Sequence, residues 1–305
     1  MGILVVGSIA YDTIHTPTAT IESALGGSAT YFSTAASLFA PVKIVAVVGS
    51  DFAHEDLDFL RERGVDTSGV AVAAGGTFRW IGSYGEEMGD ATTHATLLNV
   101  FADFRPVIPE EFCNEGYVFL ANIDPELQLS VLEQVERPRL VICDTMNFWI
   151  EGKREALLEL LKRVDVLVIN ETEARLLAGE SDLAAAARRV LELGPTRLVV
   201  KCGCAGVLLF ADGEVERLPA YPVADVRDPT GAGDSFAGGF VGALAESGDV
   251  SPAGMRRALL CGTATASFAI EAFSVERLRE IDRATVERRC EELAKRGIVR
   301  GEPLC

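Results

Sequence analysis

Asp228-Pro229-Thr230-Gly231-Ala232-Gly233-Asp234-Ser235-Phe236-Ala237-Gly238-Gly239 reads as a tight loop running straight into a helix. Pro229 and the glycines hold the loop, and Phe236, Phe240, Val241 and Leu244 mark the apolar side of the helix. The N–H groups of Ala232, Gly233 and Asp234 then leave a helix N-terminus without intrahelical partners. Such an end attracts anions, phosphate above all, because free N–H groups and the helix dipole add. Gly231 and Gly233 carry no side chain, so a phosphate can come close to the main chain. A carboxylate at Asp234 repels a phosphate that is merely held, but it suits one that is transferred. It can accept the proton of an attacking hydroxyl while the amides hold the charge on the moving phosphoryl group. The plainer alternative is a glycine turn with Asp234 as a helix cap.

The whole run resembles the second signature of the ribokinase-like (PfkB) carbohydrate kinases, D-T/P-x-G-A-G-D-x-F-x-G-G. The resemblance implies an ATP-dependent phosphotransferase with Asp234 as catalytic base and Gly231, Ala232 and Gly233 as the cradle. Thr230, Gly231 and Gly233 would also contact the nucleotide. It implies ATP and Mg2+ as cofactors and leaves room for a monovalent cation such as K+.

Composition agrees with an enzyme for small molecules. Among 305 residues, 45 Asp and Glu against 28 Lys and Arg give a net charge of −17, which opposes nucleic-acid and anionic-membrane partners. The opening Met1–Gly7 has no basic region and too short an apolar run for a signal peptide. The weakly polar stretch 258–270 is too short to span a bilayer. Seven cysteines lack the paired spacing of a zinc site, and the three histidines are far apart. The expectation is a cytoplasmic protein with reduced thiols.

Outward from the loop, short apolar runs at 3–6, 43–49, 117–121, 139–144, 165–170 and 197–201 alternate with amphipathic helical stretches. That is the pattern of an α/β fold: three layers, a mostly parallel sheet between helices. Residues 76–104 break the rhythm with a β-rich, hairpin-like excursion, while 13–25 look turn-rich and polar. With no repeat or low-complexity linker, residues 1–305 read as one ribokinase-like domain, with a small β lid from about 10–25 and 76–104. Ala211-Asp212-Gly213 signals an antiparallel hairpin.

In such sheets ligands bind at the carboxyl edge, and Asp12, Asp144, Asn170 and Lys201 all sit at or just after strand ends. Asp12 can accept from two neighbouring hydroxyls, as a sugar or ribose diol requires. Gly26-Gly27 resembles the family's G-G-x-x-x-N, which implies contact with the acceptor. Here Tyr31 stands in the place of Asn, which points to a different acceptor. Asn170-Glu171-Thr172-Glu173 resembles N-x-x-E, implying that Asn170 and Glu173 help place magnesium, through water, and that Asn170 also contacts the nucleotide phosphates; a capped helix start is the alternative. Lys201-Cys202-Gly203-Cys204-Ala205-Gly206 resembles the K/T-x-G-x-x-G stretch, implying nucleotide contacts at Lys201, Gly203 and Gly206. Asp144-Thr145-Met146-Asn147 occupies the place of D-x-N with one residue more.

Rival nucleotide folds do not fit. The chain has no G-x-x-x-x-G-K-[ST], and a dinucleotide loop would follow the first strand, not come this late. Residues 1–42 contain no Lys or Arg and 76–105 only Arg79 and Arg105, too few cations for a phosphorylated acceptor. Tyr11, Tyr31, Phe78, Trp80 and Tyr84 could stack on a base or a sugar face, and Arg79 is a further acceptor contact. A free sugar or polyol comes first, a nucleoside second, and a non-catalytic nucleotide or sugar sensor is the alternative of another class. A homodimer through the lid is the remaining expectation.

Overall fold

The computed structural model describes residues 1–300. Its strands are β1 (Ile3–Val6), β2 (Ala10–His15), β3 (Thr20–Gly26), β4 (Val42–Gly49), β5 (Val65–Ala73), β6 (Phe78–Ser83) and β7 (Thr92–Leu97). They continue with β8 (Tyr117–Leu120), β9 (Leu140–Asp144), β10 (Val166–Asn170), β11 (Arg197–Lys201), β12 (Val207–Ala211), β13 (Glu214–Leu218) and β14 (Val299–Arg300). Ten of them form one sheet in the order β14-β13-β12-β11-β10-β9-β8-β1-β4-β5. From β5 to β11 every pairing is parallel, and β12, β13 and β14 add an antiparallel end.

The parallel strands read as unbroken apolar runs because both faces are covered. Successive side chains of β1 show it: Ile3 and Val5 enter one core, Leu4 and Val6 the other. The first core lies under helices Ser28–Ala36, Ala232–Ser247 and Pro252–Ala269, and Phe32 stacks on Phe119 with ring centroids 4.1 Å apart. The second lies under helices Pro125–Leu132, Arg154–Leu161, Glu171–Ala178 and Leu183–Leu191. The three-layer α/β architecture is thus as expected.

The remaining strands form a small sheet, β3-β2-β6-β7. The excursion after residue 76 is the β6–β7 hairpin. Residues 13–25 are not the turn-rich segment their composition suggests. Only Thr16–Ala19 turns, closed by the Thr16 N–H on Ala19 O at 2.8 Å, and β2 and β3 pair on either side of it. The β-branched Thr13, Ile14, Thr20 and Ile21 favour strand, and edge pairing overrides their polarity. Helix Leu183–Leu191, absent from the sequence expectation, begins at the Asp182 cap and buries Ala186, Ala187 and Val190.

β1 lies third from the β5 edge of the large sheet, and the chain leaves its end for β2 before returning through β4 on one side and β8 on the other. The small sheet is therefore tethered at the carboxyl edge, where the strand order reverses. Ligands of open α/β sheets bind in that crevice.

Candidate active site

Helix Ala232–Ser247 starts from Gly231, whose φ of 72° is left-handed, with no side-chain cap. The Ala232 N–H donates to Pro229 O at 3.1 Å and closes the turn. The cradle of three amides expected from the sequence therefore narrows to Gly233 and Asp234, whose N–H groups have no acceptor among the described residues. Gly231 could not be another residue here: a Cβ would lie 2.3 Å from the Tyr31 ring. At Gly233 a Cβ would stand 2.9 Å from Lys201 Nζ, so the ammonium lies directly beside the open helix end. Asp234 is half-buried in the first turn, and burial pushes its carboxyl up to about 7, with the Asp144 charge adding and Lys201 opposing.

Asp228 fixes this loop from below. Fully buried, it accepts the Thr230 N–H at 2.9 Å and the Ser274 N–H at 3.2 Å. Ser274 in turn donates its hydroxyl to Leu25 O, which ties the loop to β3 of the small sheet. Tyr84, just past β6, meets Thr230 Oγ1 at 3.0 Å, a second link from the small sheet to the loop.

Asp12 sits on β2, 4% exposed, against Gly26 of β3, where any Cβ would come within 1.9 Å of its Oδ2. Gly27, at φ 94°, turns the chain into helix Ser28–Ala36 and leaves room for the Ser8 carbonyl. Burial first, then the charges of Asp228 and Asp234, push Asp12 up to about 8, with the Gly27 N–H opposing. Asp12 therefore feels the Asp234 charge across the site. Tyr31 feels both carboxylates and is 1% exposed, its ring on Gly231 and its hydroxyl without a partner. Burial and the nearby Asp12 raise its phenol far above the ordinary range. Trp80 pairs with Asp12 across β2 and β6 and shares its face, with the indole lying over Gly82. Arg79 lies on the opposite face with Tyr11, its guanidinium 3.5 Å from Asp51 Oδ2 and 3.0 Å from Ser23 Oγ. It is thus placed away from the Asp12 side.

Asn170 and Glu173 close a helix start onto themselves. Asn170 Oδ1 accepts the Glu173 N–H at 2.8 Å, and the Glu173 carboxylate accepts the Asn170 N–H at 2.7 Å. Burial raises the Glu173 carboxyl, against the pull of Lys201. Lys201, at the end of β11, pairs with Asp144 Oδ2 at 3.3 Å. Burial works against its charge, but Asp144, Glu173 and Asp234 outweigh it and hold the ammonium above its ordinary range. Gly203 faces open space, whereas Gly206, at φ 104°, leaves room for the Leu218 carbonyl of β13. The missing side chain at 206 thus serves the hairpin backbone.

The arrangement fits a nucleotide triphosphate: two unpartnered amides, a bare glycine and one ammonium converge on a single spot. For magnesium the described residues offer no cluster of three or more His, Cys, Asp or Glu. With the Asn170 and Glu173 side chains already engaged, a cation there would be held by phosphates and water. The ties through Ser274 and Tyr84 were not foreseen. Ser274 is a non-glycine residue at φ 58° with no sequence signal, and Tyr84 was visible only as one aromatic among several.

The pfkB family carbohydrate kinase model matches residues 2–280. The chain belongs to that family. It is therefore a phosphotransferase acting on an alcohol group, of the kind whose acceptors are sugars or nucleosides. It is 32% identical over 247 residues to the cytidine kinase of Thermococcus kodakarensis, covering 79% of this chain and 87% of that one. It is also 32% identical over 280 residues to the 2-dehydro-3-deoxygluconokinase of Thermoproteus tenax, covering 82% and 80%. The fold matches a putative ribokinase II from E. coli solved in complex with ATP and Mg2+, with a TM-score of 0.76 at 19% identity, covering 95% and 99%. Ribokinase-family kinases use ATP with Mg2+. No helix of the described residues is long and apolar enough to cross a membrane.

Proposed function

We propose that this kinase phosphorylates a hydroxyl of an unphosphorylated nucleoside, with a free sugar or polyol as the runner-up. The convergence of Asp234, the open Gly233 and Asp234 amides and Lys201 on one spot carries the transfer chemistry. When bound, ATP supplies the phosphoryl group and Mg2+ offsets its charge. Asp12 holds and orients the acceptor, and Asp234 takes the proton from the attacking hydroxyl. The two amides and the Lys201 ammonium steady the charge that builds on the transferring oxygens. Thr230, closed over by Tyr84, keeps water out.

Two observations favour the nucleoside over the free sugar that the sequence put first. Trp80 stands beside Asp12 on the same face, where a base could stack while its ribose meets the carboxylate. The relative named cytidine kinase is matched over most of both chains. Base–aromatic stacking of about 1–3 kcal/mol favours a nucleoside over its bare ribose by about five- to a hundred-and-fiftyfold.

The proposal includes one kinase domain whose small sheet acts as a lid, magnesium placed through water near Asn170 and Glu173, and a monovalent cation such as K+. It includes a homodimer through the lid, where Leu97 and Leu98 are exposed, and residence in the cytoplasm. ADP release from ATP with a panel of nucleosides and free sugars tests the acceptor. Higher kcat/KM for nucleosides supports it, higher values for sugars reverse the order, and no release with any acceptor would favour a sensor.

A further inference from the structure

Asp144 has no role in the steps above, yet it is only 5% exposed and pairs with Lys201. Its carboxylate is fixed on one side, where Oδ1 accepts the Thr145 N–H at 2.7 Å. Its main-chain carbonyl is fixed too: Gln128 Nε2 donates to Asp144 O at 3.1 Å, and also to Leu120 O and Ala121 O at the end of β8. Oδ2 alone faces Lys201 Nζ, at 3.3 Å. A tight ammonium–carboxylate pair is shorter, about 2.7–2.9 Å. The ammonium has three protons, spends one on Asp144, and lies against the bare Gly233.

We infer that Asp144 is a positioning residue of the transfer reaction, a carboxylate that parks the Lys201 ammonium beside Gly233 between the phosphate cradle and the base. The long contact lets Lys201 exchange Asp144 for a phosphate oxygen without leaving its place. The same two groups bracket Asp234 electrically: Asp144 is the largest charge raising its proton affinity and Lys201 the one lowering it. The other titratable groups that feel Asp234 are Asp12 on β2, Tyr31 on the helix after β3 and Tyr84 past β6; Asp228 in the loop acts on these three, and Glu173 acts on Lys201. Removing either Asp144 or Lys201 should thus move the base in opposite directions.

The inference rests on Asp234 being the base, so Asp234→Asn is measured alongside. For Asp144→Asn, the acidic limb of the kcat profile moves to lower pH and KM for ATP rises, because the ammonium is no longer parked. For Lys201→Met the limb moves to higher pH and KM for ATP rises by about tenfold or more, the loss of one charged hydrogen bond. Lys201→Arg recovers part of the ATP affinity. A purely structural role would leave both limbs where they were, and limbs that stay put or move the same way overturn the inference. Should Asp234→Asn turn over normally, the base assignment fails instead, and the two failures are told apart by that variant alone.

Discussion

Two helices begin at the carboxyl edge of the same sheet, each with an acidic residue in its first turn, and they are built in opposite ways. At Asn170–Glu173 the side chains cap the main chain reciprocally, Asn170 Oδ1 on the Glu173 N–H and the Glu173 carboxylate on the Asn170 N–H. At Gly231–Asp234 the cap position is a glycine, no side chain reaches the amides, and a lysine stands beside them. An N-terminus left open costs stability unless an anion closes it, since unpaired amides are expensive out of water. In the proposed reaction the open end is the binding device, and the closed one is a joint that meets a cation only through water, although both read as acidic helix starts in the sequence.

The comparison breaks most readily at Asp234. Asp234→Asn should lower kcat by about 10²–10⁴, the usual worth of a positioned base, while ATP still binds, as calorimetry would show. A fall of less than tenfold would leave the carboxylate with no part in proton transfer. Next in size is Gly231→Ala. It puts a methyl into the Tyr31 ring at a left-handed φ, so turnover should fall together with stability, by about 1–2 kcal/mol from the backbone alone. Unchanged thermal unfolding in that variant would mean the ring yields.

Asn170→Ala sharpens the contrast from the other side. It should cost about 1 kcal/mol in denaturant unfolding, the worth of a cap, and change kcat by no more than a few fold. A large kinetic loss there would give the closed end a direct part in the reaction. The dependence on pH probes the buried acids themselves. Asp12 at about 8 and Asp234 at about 7 lie above the ordinary carboxylate value near ~4 of an unfolded chain. Between those values the folded chain holds more protons than the unfolded one, so unfolding free energy falls as pH rises through that window. The melting temperature without nucleotide should drop from about pH 5 to about pH 9, and Asp12→Asn should flatten the slope. A rising melting temperature would contradict the burial of these acids.

Much of this was legible in the chain. The apolar runs gave the sheet because parallel strands buried on both faces leave no polar alternation. The loop 228–239 announced an open helix start through its glycines, although Gly238 and Gly239 also serve close packing against Phe32 and Thr265. What stayed hidden was local pairing. Whether Asn170 caps or coordinates depends on a rotamer, and the Ala232 amide was taken by the Pro229 carbonyl only because of how the turn closes. The missing side chain at Gly206 looked like room for a nucleotide and proved to be room for β13. Arg79, placed by sequence near an acceptor, falls on the far face because strand alternation puts it with Tyr11 and not with Asp12.

A crystal structure with a non-hydrolysable ATP analogue and Mg2+ is the most direct test of the difference between the two helix starts. Terminal phosphate oxygens should accept from the N–H groups of Gly233 and Asp234 at about 3 Å, with Lys201 Nζ turned from Asp144 toward them and the Asn170–Glu173 cap intact. Phosphates seated elsewhere, or a cap opened to receive them while the 231–234 turn stays bare, would contradict the account.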